Sequence, residues 1–308
     1  MNPPAFVPSG YTLLRPLGSG NTAQVFEAQH PDFGTVALKL PKLEVQRDPL
    51  LRRMFENEVQ MTLALKHPRV VSAFAGYPTG EGAFLALEFC DGTLDAQLGA
   101  QPLGAAYRLV LDVAQGLRHS HTRQILHRDL KPANVFVQEN RAKLGDFGTG
   151  AYIGDVFGAP QASGKVGTAF YMAPEIFQGQ PATVRSDIYS LGILAYEVIA
   201  GVRPFSGRDE DELMLAHSSG VPLALRQHRP EVSLEVSRVV ATAMSRTLSK
   251  RFETADAFVV AFAEATGLPV CDTASAAPVG RSGRTKRSID PPKPEKPSRF
   301  GWFGRRRS

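Results

Sequence analysis

Cysteine is nearly absent: Cys90 and Cys271 are the only two in 308 residues. Two thiols cannot frame a chain of this length, which excludes a disulfide scaffold and suits a reducing compartment. Long apolar runs are missing too. The longest, around Leu191–Gly201, contains Glu197 and is too short to span a bilayer. The chain opens Met-Asn-Pro-Pro, without the charged-then-apolar start of a signal peptide, and it has no internal repeat. Together these absences lead us to expect a cytoplasmic globular protein.

The hydrophobic fraction, 43%, is that of an ordinary soluble fold, and the length accommodates one two-lobed domain or two small ones. The net charge of +5 is unevenly spread. Ten of the Lys and Arg residues fall in 273–308 against only Asp290 and Glu295, so residues 1–272 are net acidic and the basic balance belongs to the C-terminal stretch.

The most informative segment is His127-Arg128-Asp129-Leu130-Lys131-Pro132-Ala133-Asn134, followed by Asp146-Phe147-Gly148. Two acids, a lysine and an asparagine within twenty residues supply what phosphoryl transfer needs: a group that orients a hydroxyl, a cation for the migrating phosphoryl, and oxygen ligands for magnesium. A polar loop between two strands is the plain alternative. The eight-residue run together with Asp-Phe-Gly at this spacing argues against chance.

Upstream, Tyr11–Leu17 and Gln24–Gln29 read as strands joined by Gly18-Ser19-Gly20-Asn21-Thr22-Ala23. Glycines there fit either a hairpin turn or a cradle in which backbone N–H groups approach phosphate oxygens. Val36-Ala37-Leu38-Lys39-Leu40 is an apolar strand carrying one lysine, which either snorkels outward or meets a carboxylate. Asp48 and Pro49 predict a helix start. The stripe that follows, Leu51, Met54, Phe55, Met61 and Leu65, has helical spacing with Glu58 in its midst. A carboxylate on a buried face requires a cation, whereas Glu56 reads as a solvated residue. Val70–Gly76 and Ala83–Phe89 read as further strands, and Gly104–Thr122 as a long helix. Thr149–Ala173, Gly- and Ala-rich without periodicity, reads as a mobile loop. Ser186–Ala200, apolar almost all round, reads as a buried helix ended by Gly201, with further helices near 209–218, 233–246 and 253–266.

With these motifs in place, residues 11–268 closely resemble the eukaryotic-like Ser/Thr protein kinase family, in a bacterial-type form whose catalytic domain carries no transmembrane or sensor region. The resemblance implies an α+β fold. Residues 1–90 would form a small lobe with a five-stranded antiparallel sheet and one helix, residues 91–268 a larger helical lobe, and residues 269–308 a basic, Pro-rich tail too polar to fold alone. It implies ATP as phosphoryl donor with Mg²⁺ (Mn²⁺ as an alternative), protein Ser/Thr hydroxyls as acceptors, and autophosphorylation through a transient self-dimer.

Residue by residue, the resemblance makes Asp129 the group that orients the acceptor hydroxyl and Lys131 the cation for the phosphoryl. Lys39 would hold the α- and β-phosphates and Glu58 would orient it; Thr168 would bond to Asp129 and Lys131. Asn134 and Asp146 would ligate the metal. Leu17, Gly18, Ser19, Gly20, Val25, Ala37, Leu87, Glu88, Cys90 and Phe136 would line the nucleotide site, with Leu87 as gatekeeper and Phe136 beneath the adenine. The chain departs from the family at Ala23, where a third glycine is usual, and at Phe136, where Leu or Met is commoner. Asp187 would brace the His127–Arg128 turn, and Arg251 would pair with Glu175. Arg128 would meet a phosphate on Ser163 in the activation loop. Gly167–Glu175 would be the peptide shelf that distinguishes protein kinases from small-molecule phosphotransferases, and the filled catalytic positions argue against a non-catalytic scaffold. The aromatic and arginine residues of 299–308 suit an anionic membrane surface, nucleic acid or an acidic protein.

Overall fold

The structure, a computed structural model, describes residue 4 and residues 6–99, 101–154 and 166–270. Ser163 and the tail from residue 271 onward lie outside the described residues. One unit spans residues 1–271 and a second spans 272–308.

The first lobe is built on five antiparallel strands: β1 (Thr12–Ser19), β2 (Ala23–His30), β3 (Gly34–Pro41), β4 (Ala73–Tyr77) and β5 (Phe84–Glu88), in the order β1-β2-β3-β5-β4. The alternation in β3 explains its central place. Val36, Leu38 and Leu40 are buried on one face, while Ala37 and Lys39 alternate to the other. In register, Lys39 lies opposite Val25 on β2 and Leu85 on β5. Behind the sheet runs α2 (Pro49–Ala64), started as expected by Asp48, whose carboxylate accepts from the Leu50 and Leu51 amides at 2.8 and 3.2 Å. Where one helix was expected, a five-residue helix α1 (Leu43–Arg47) precedes it and buries Val45.

The expected strand over 70–76 begins only at Ala73. Residues 69–71 are instead drawn to a strand of the second lobe: the Val71 amide donates to the Leu144 carbonyl and the Leu144 amide to the Arg69 carbonyl, each at 2.9 Å. The second lobe continues through β6 (Gly92–Thr93), α3 (Leu103–Thr122), β7 (Ile125–Leu126), β8 (Val135–Gln138) and β9 (Arg141–Leu144). The stretch expected to be a structureless loop contains β10 (Ala151–Tyr152), paired with β7, and a helical turn α4 (Val166–Ala169). Pairing with the short β7 stabilises β10, a partnership that no local periodicity announces.

α5 (Pro174–Phe177), α6 (Val184–Ala200), α7 (Glu210–Ser219), α8 (Leu225–His228), α9 (Leu234–Ala243) and α10 (Ala255–Thr266) complete the lobe. Thr183 and Ser186 cap the start of α6, and Gly201, at φ 74°, ends it in the left-handed conformation open to glycine. α6 is buried all round and packs on α3 and α9, forming the centre of the larger core. No helix among the described residues is long and apolar enough to cross a membrane.

Candidate active site

Three charged groups meet between β3, α2 and the Asp146-Phe147-Gly148 turn. The Lys39 ammonium contacts Glu58 Oε1 and lies 3.6 Å from Asp146 Oδ1. Burial on its own would lower the lysine's pKa, but the Asp146 and Glu58 carboxylates outweigh it and hold Lys39 above its ordinary value. Burial pushes Glu58 up, opposed by Lys39, and the Lys39 ammonium holds Asp146 below the usual carboxylate range. Asp146 has left-handed backbone, φ 59°, a conformation that costs about 1–3 kcal/mol for a non-glycine residue. Next to it, a Cβ on Gly148 would come within 3.3 Å of Asp146 Oδ1.

Asp129 is the hub of a second cluster. Lys131 Nζ donates to Asp129 Oδ1 and Oδ2 at 2.9 and 2.7 Å and to Thr168 Oγ1 at 2.9 Å. Asn134 Nδ2 donates to the Asp129 carbonyl at 2.7 Å and to Oδ2 at 2.9 Å, and the Thr168 hydroxyl lies 3.2 Å from Oδ1. The chain is held in this shape from below. Asp187, at the start of α6, accepts from the His127 and Arg128 amides, both at 2.9 Å, and lies 2.9 Å from His121 Nε2. Burial would raise Asp187's pKa, but these hydrogen bonds and the nearby histidines overcome it and lower the value. The brace offsets the left-handed backbone of Arg128, φ 68°. His127 Nε2 reaches the Gly145 carbonyl at 2.9 Å and its ring packs on buried Phe147, linking the two motifs.

Above lies a cleft of about 530 Å³, within the range of small-ligand sites. Leu17, Gly18, Ser19, Gly20, Val25 and Ala37 line its roof, and Leu87, Glu88 and Cys90 its back. Phe136 and Asp146 line the opposite side, with Lys39 between. Every expected nucleotide-site residue therefore borders one cavity. A Cβ on Gly18 would meet nothing within 4 Å, so that backbone stays open to a ligand. Burial and Glu88 push the Cys90 thiol up to about 12, which makes it an inert wall residue.

The donor set fits a nucleotide with a divalent cation. Asp146 keeps 42% of its side chain exposed beside the Lys39 ammonium, while Asn134, held through Nδ2, retains Oδ1 as an acceptor. Among the described residues no cluster of three or more His, Cys, Asp or Glu could cage a metal. A cation here would share its shell with phosphate oxygens, the usual arrangement for a small hard ion bound through one or two protein oxygens.

Asp112 escaped the sequence reading. Buried on α3, it accepts from Arg141 Nε and Nη2, each at 2.8 Å, and from the Ala142 amide at 3.1 Å, and it lies 3.0 Å from Arg69 Nε. It thereby ties α3, β9 and the segment after α2 together. The signal that exposed Glu58, an acid inside an apolar stripe, is present here too, between Val110 and Val113. Glu88 was likewise missed as a side chain: it accepts from the Ser72 amide at 2.7 Å and pairs with Lys143 on β9. Arg251 meets Glu175 through two bonds of 2.7 Å, as expected, and Thr149 Oγ1 donates to the His127 carbonyl at 3.3 Å, a structural contact.

Comparison with known proteins agrees with this geometry. A model of the protein kinase domain matches residues 11–261. This chain belongs to the protein kinase domain family. The serine/threonine-protein kinase PknB of Mycobacterium leprae is 32% identical over 271 residues, an alignment covering 83% of this chain and 43% of that protein. The serine/threonine-protein kinase pkn2 of Myxococcus xanthus is 32% identical over 300 residues, covering 90% and 36%. The chain thus spans less than half the length of these curated relatives. Among solved structures, the PknI kinase domain of Mycobacterium tuberculosis superimposes with a TM-score of 0.64 at 28% identity, covering 87% of this chain and all of that one. The two-lobed kinase fold follows from both the architecture and the comparisons.

Proposed function

We propose that this kinase transfers the γ-phosphoryl of ATP to Ser and Thr hydroxyls of proteins, itself included, in a cytoplasmic compartment. The observation that carries the reading is the convergence of Lys131, Thr168 and Asn134 on Asp129, below a cleft that ends at Lys39, Glu58 and Asp146. Asp129 accepts the acceptor's proton as the new O–P bond forms and the bond to the β-phosphate oxygen breaks. Lys131 offsets charge on the migrating group while keeping Asp129 in place. Lys39, oriented by Glu58, binds the α- and β-phosphates. Asn134 Oδ1 and the Asp146 carboxylate would hold Mg²⁺, or Mn²⁺ in its place, which would supply positive charge against the phosphates. Thr168 sits in the segment that presents the acceptor peptide, and the division between lobes falls near residue 90. A lysine two residues after Asp129 supports Ser/Thr over Tyr acceptors by its resemblance to the family.

The test begins with protein stripped of phosphate by a phosphatase that is then removed. Incubated with Mg-ATP and a generic protein substrate, the wild type gains phosphate while Asp129→Asn and Asp146→Asn do not, by intact mass and phosphopeptide mapping. Equal incorporation in the Asp129→Asn protein would refute the assigned role. A silent wild type that still binds ATP would replace catalysis with a nucleotide-dependent scaffold.

A further inference from the structure

A second hollow, of about 710 Å³, opens on the second lobe far along the chain from the catalytic motifs, between α6, α9 and the link from α7 to α8. Its floor is apolar: Tyr196, Leu225, Val240 and Met244 are buried there. Its charged lining is of one sign, Arg238, Arg246 and Lys250, with no Asp or Glu. That contrasts with residues 1–272 as a whole, which are net acidic. All three cations are exposed, and among the described residues none of them pairs with a carboxylate; Arg246 only donates to the Ser218 carbonyl at 3.0 Å.

The link at the mouth is fixed while its apolar side chains face solvent. The Tyr196 hydroxyl donates to the Leu223 carbonyl at 2.8 Å, the Gly220 amide to the Ala216 carbonyl at 2.8 Å and the Ala224 amide to Gln227 Oε1 at 2.9 Å. Yet Val221 is 85% exposed and Leu223 55%. Hydrogen-bonded backbone carrying exposed aliphatic groups, above an apolar floor and beside three cations, is a preformed receptor surface.

We propose that this hollow docks an acidic, apolar-anchored segment of a partner protein. Aliphatic or aromatic side chains of the segment enter between Val221, Leu223 and Met244, and its carboxylates meet Arg238 and Lys250. A peptide fits better than a lipid tail because the hollow opens to solvent, with Val221 and Leu223 exposed at its mouth and three exposed cations, unpaired among the described residues, in its lining. Docking in this hollow involves no step of phosphoryl transfer, so a binding measurement without ATP tests it.

The probe is a fluorescein-labelled twelve-residue peptide alternating Leu and Phe with Asp and Glu, and its control replaces the acids with Lys. Full-length protein should raise the anisotropy of the acidic probe and not of the control. Arg238→Glu with Lys250→Glu should weaken binding at least tenfold, and Val221→Asp at least threefold. Phosphorylation of a short generic peptide by these variants, with their unfolding midpoints, should stay at wild-type level, separating lost docking from lost folding. Equal binding of the two peptides, or an unchanged affinity in the double charge variant, would overturn the proposal. Stronger and equally variant-sensitive binding to phosphatidylglycerol vesicles would overturn the peptide assignment in favour of an anionic membrane.

Discussion

Removing Arg251 should destabilise this protein more than removing any surface ion pair, and removing Glu175 as well should restore part of the loss. The Arg251 side chain is fully buried and that of Glu175 nearly so. The guanidinium also donates to the Arg185 carbonyl at 3.0 Å and lies 4.7 Å over the Tyr189 ring. Arg251→Met removes these contacts and leaves a buried carboxylate with no cation, held by the Ser186 hydroxyl at 2.9 Å and its own backbone amide. Breaking a buried pair from one side costs about 3–5 kcal/mol, which corresponds to a midpoint lowered by roughly 6–20 °C for a domain of this size. Glu175→Gln in the same background removes the orphaned charge, so the double variant should be more stable than Arg251→Met alone by about 1–2 kcal/mol.

The pH dependence supplies an independent check. In the wild type, burial would raise Glu175's pKa, but the Arg251 hydrogen bonds and charge outweigh it and depress the value. The stabilisation is therefore complete above the unfolded carboxylate pKa, about 4.3, and is lost as pH falls through the lower folded value. In Arg251→Met burial is opposed only by the Ser186 hydroxyl and the residue's own amide, so the folded pKa should rise above about 4.3 and the sign reverse: the variant then loses stability as pH rises through that value. The gap between wild type and variant should narrow on acidification from pH 7 to pH 4. Urea unfolding of the three proteins at pH 7, 5.5 and 4 measures all of this. A single-variant loss below about 1 kcal/mol, or a double variant less stable than Arg251→Met, would refute the reasoning.

Glu58→Gln, which removes one carboxylate beside Lys39 and leaves Asp146 as its counter-charge, should lower phosphorylation roughly 100-fold with little change in unfolding midpoint, whereas Lys39→Met should also weaken ATP binding in calorimetry. At Gly116 an added Cβ would lie 2.4 Å from the Arg69 carbonyl and 3.1 Å from Leu144. Gly116→Ala should therefore cost about 1–3 kcal/mol or more, seen as a midpoint several degrees lower. His217 is buried with the Tyr189 hydroxyl 2.7 Å from Nδ1, and burial lowers its pKa to about 4. Its folded value lies below its unfolded one, so stability should be full above about pH 6.5 and decline towards pH 4, by about 3 kcal/mol at most. His217→Gln should flatten that part of the profile in denaturant titrations; an unchanged slope would remove His217 as its source.

Much of the site could be read before the fold was known because its chemistry is local in the chain. Asp129, Lys131 and Asn134 are close in sequence, so one short turn brings them together, and their residue types already point to the proposed reaction. Glu58 was legible for a different reason: an acid inside an apolar helical stripe must find a cation, and Lys39 was the candidate on the neighbouring strand. Asp48 and Gly201 marked helix ends through the requirements of backbone capping, which involve only adjacent residues.

Other features depend on partners distant in the chain. Residues 70 and 71 left the expected strand because β9 offered the segment hydrogen bonds, and β10 formed inside an apparent loop because β7 lay alongside. Asp112 lies 29 residues from Arg141, and Tyr189 lies 28 from His217. Nothing in a window of sequence specifies such pairs, since they arise only after α3 and α6 have packed. By itself the sequence determined the candidate phosphotransfer residues, the alternation that aims Lys39 and the caps of the main helices. Tertiary structure alone decided which buried charges meet, where the backbone of Arg128 and Asp146 is held left-handed, and that three cations would line one apolar hollow, because desolvation and long-range contact exist only in the packed chain.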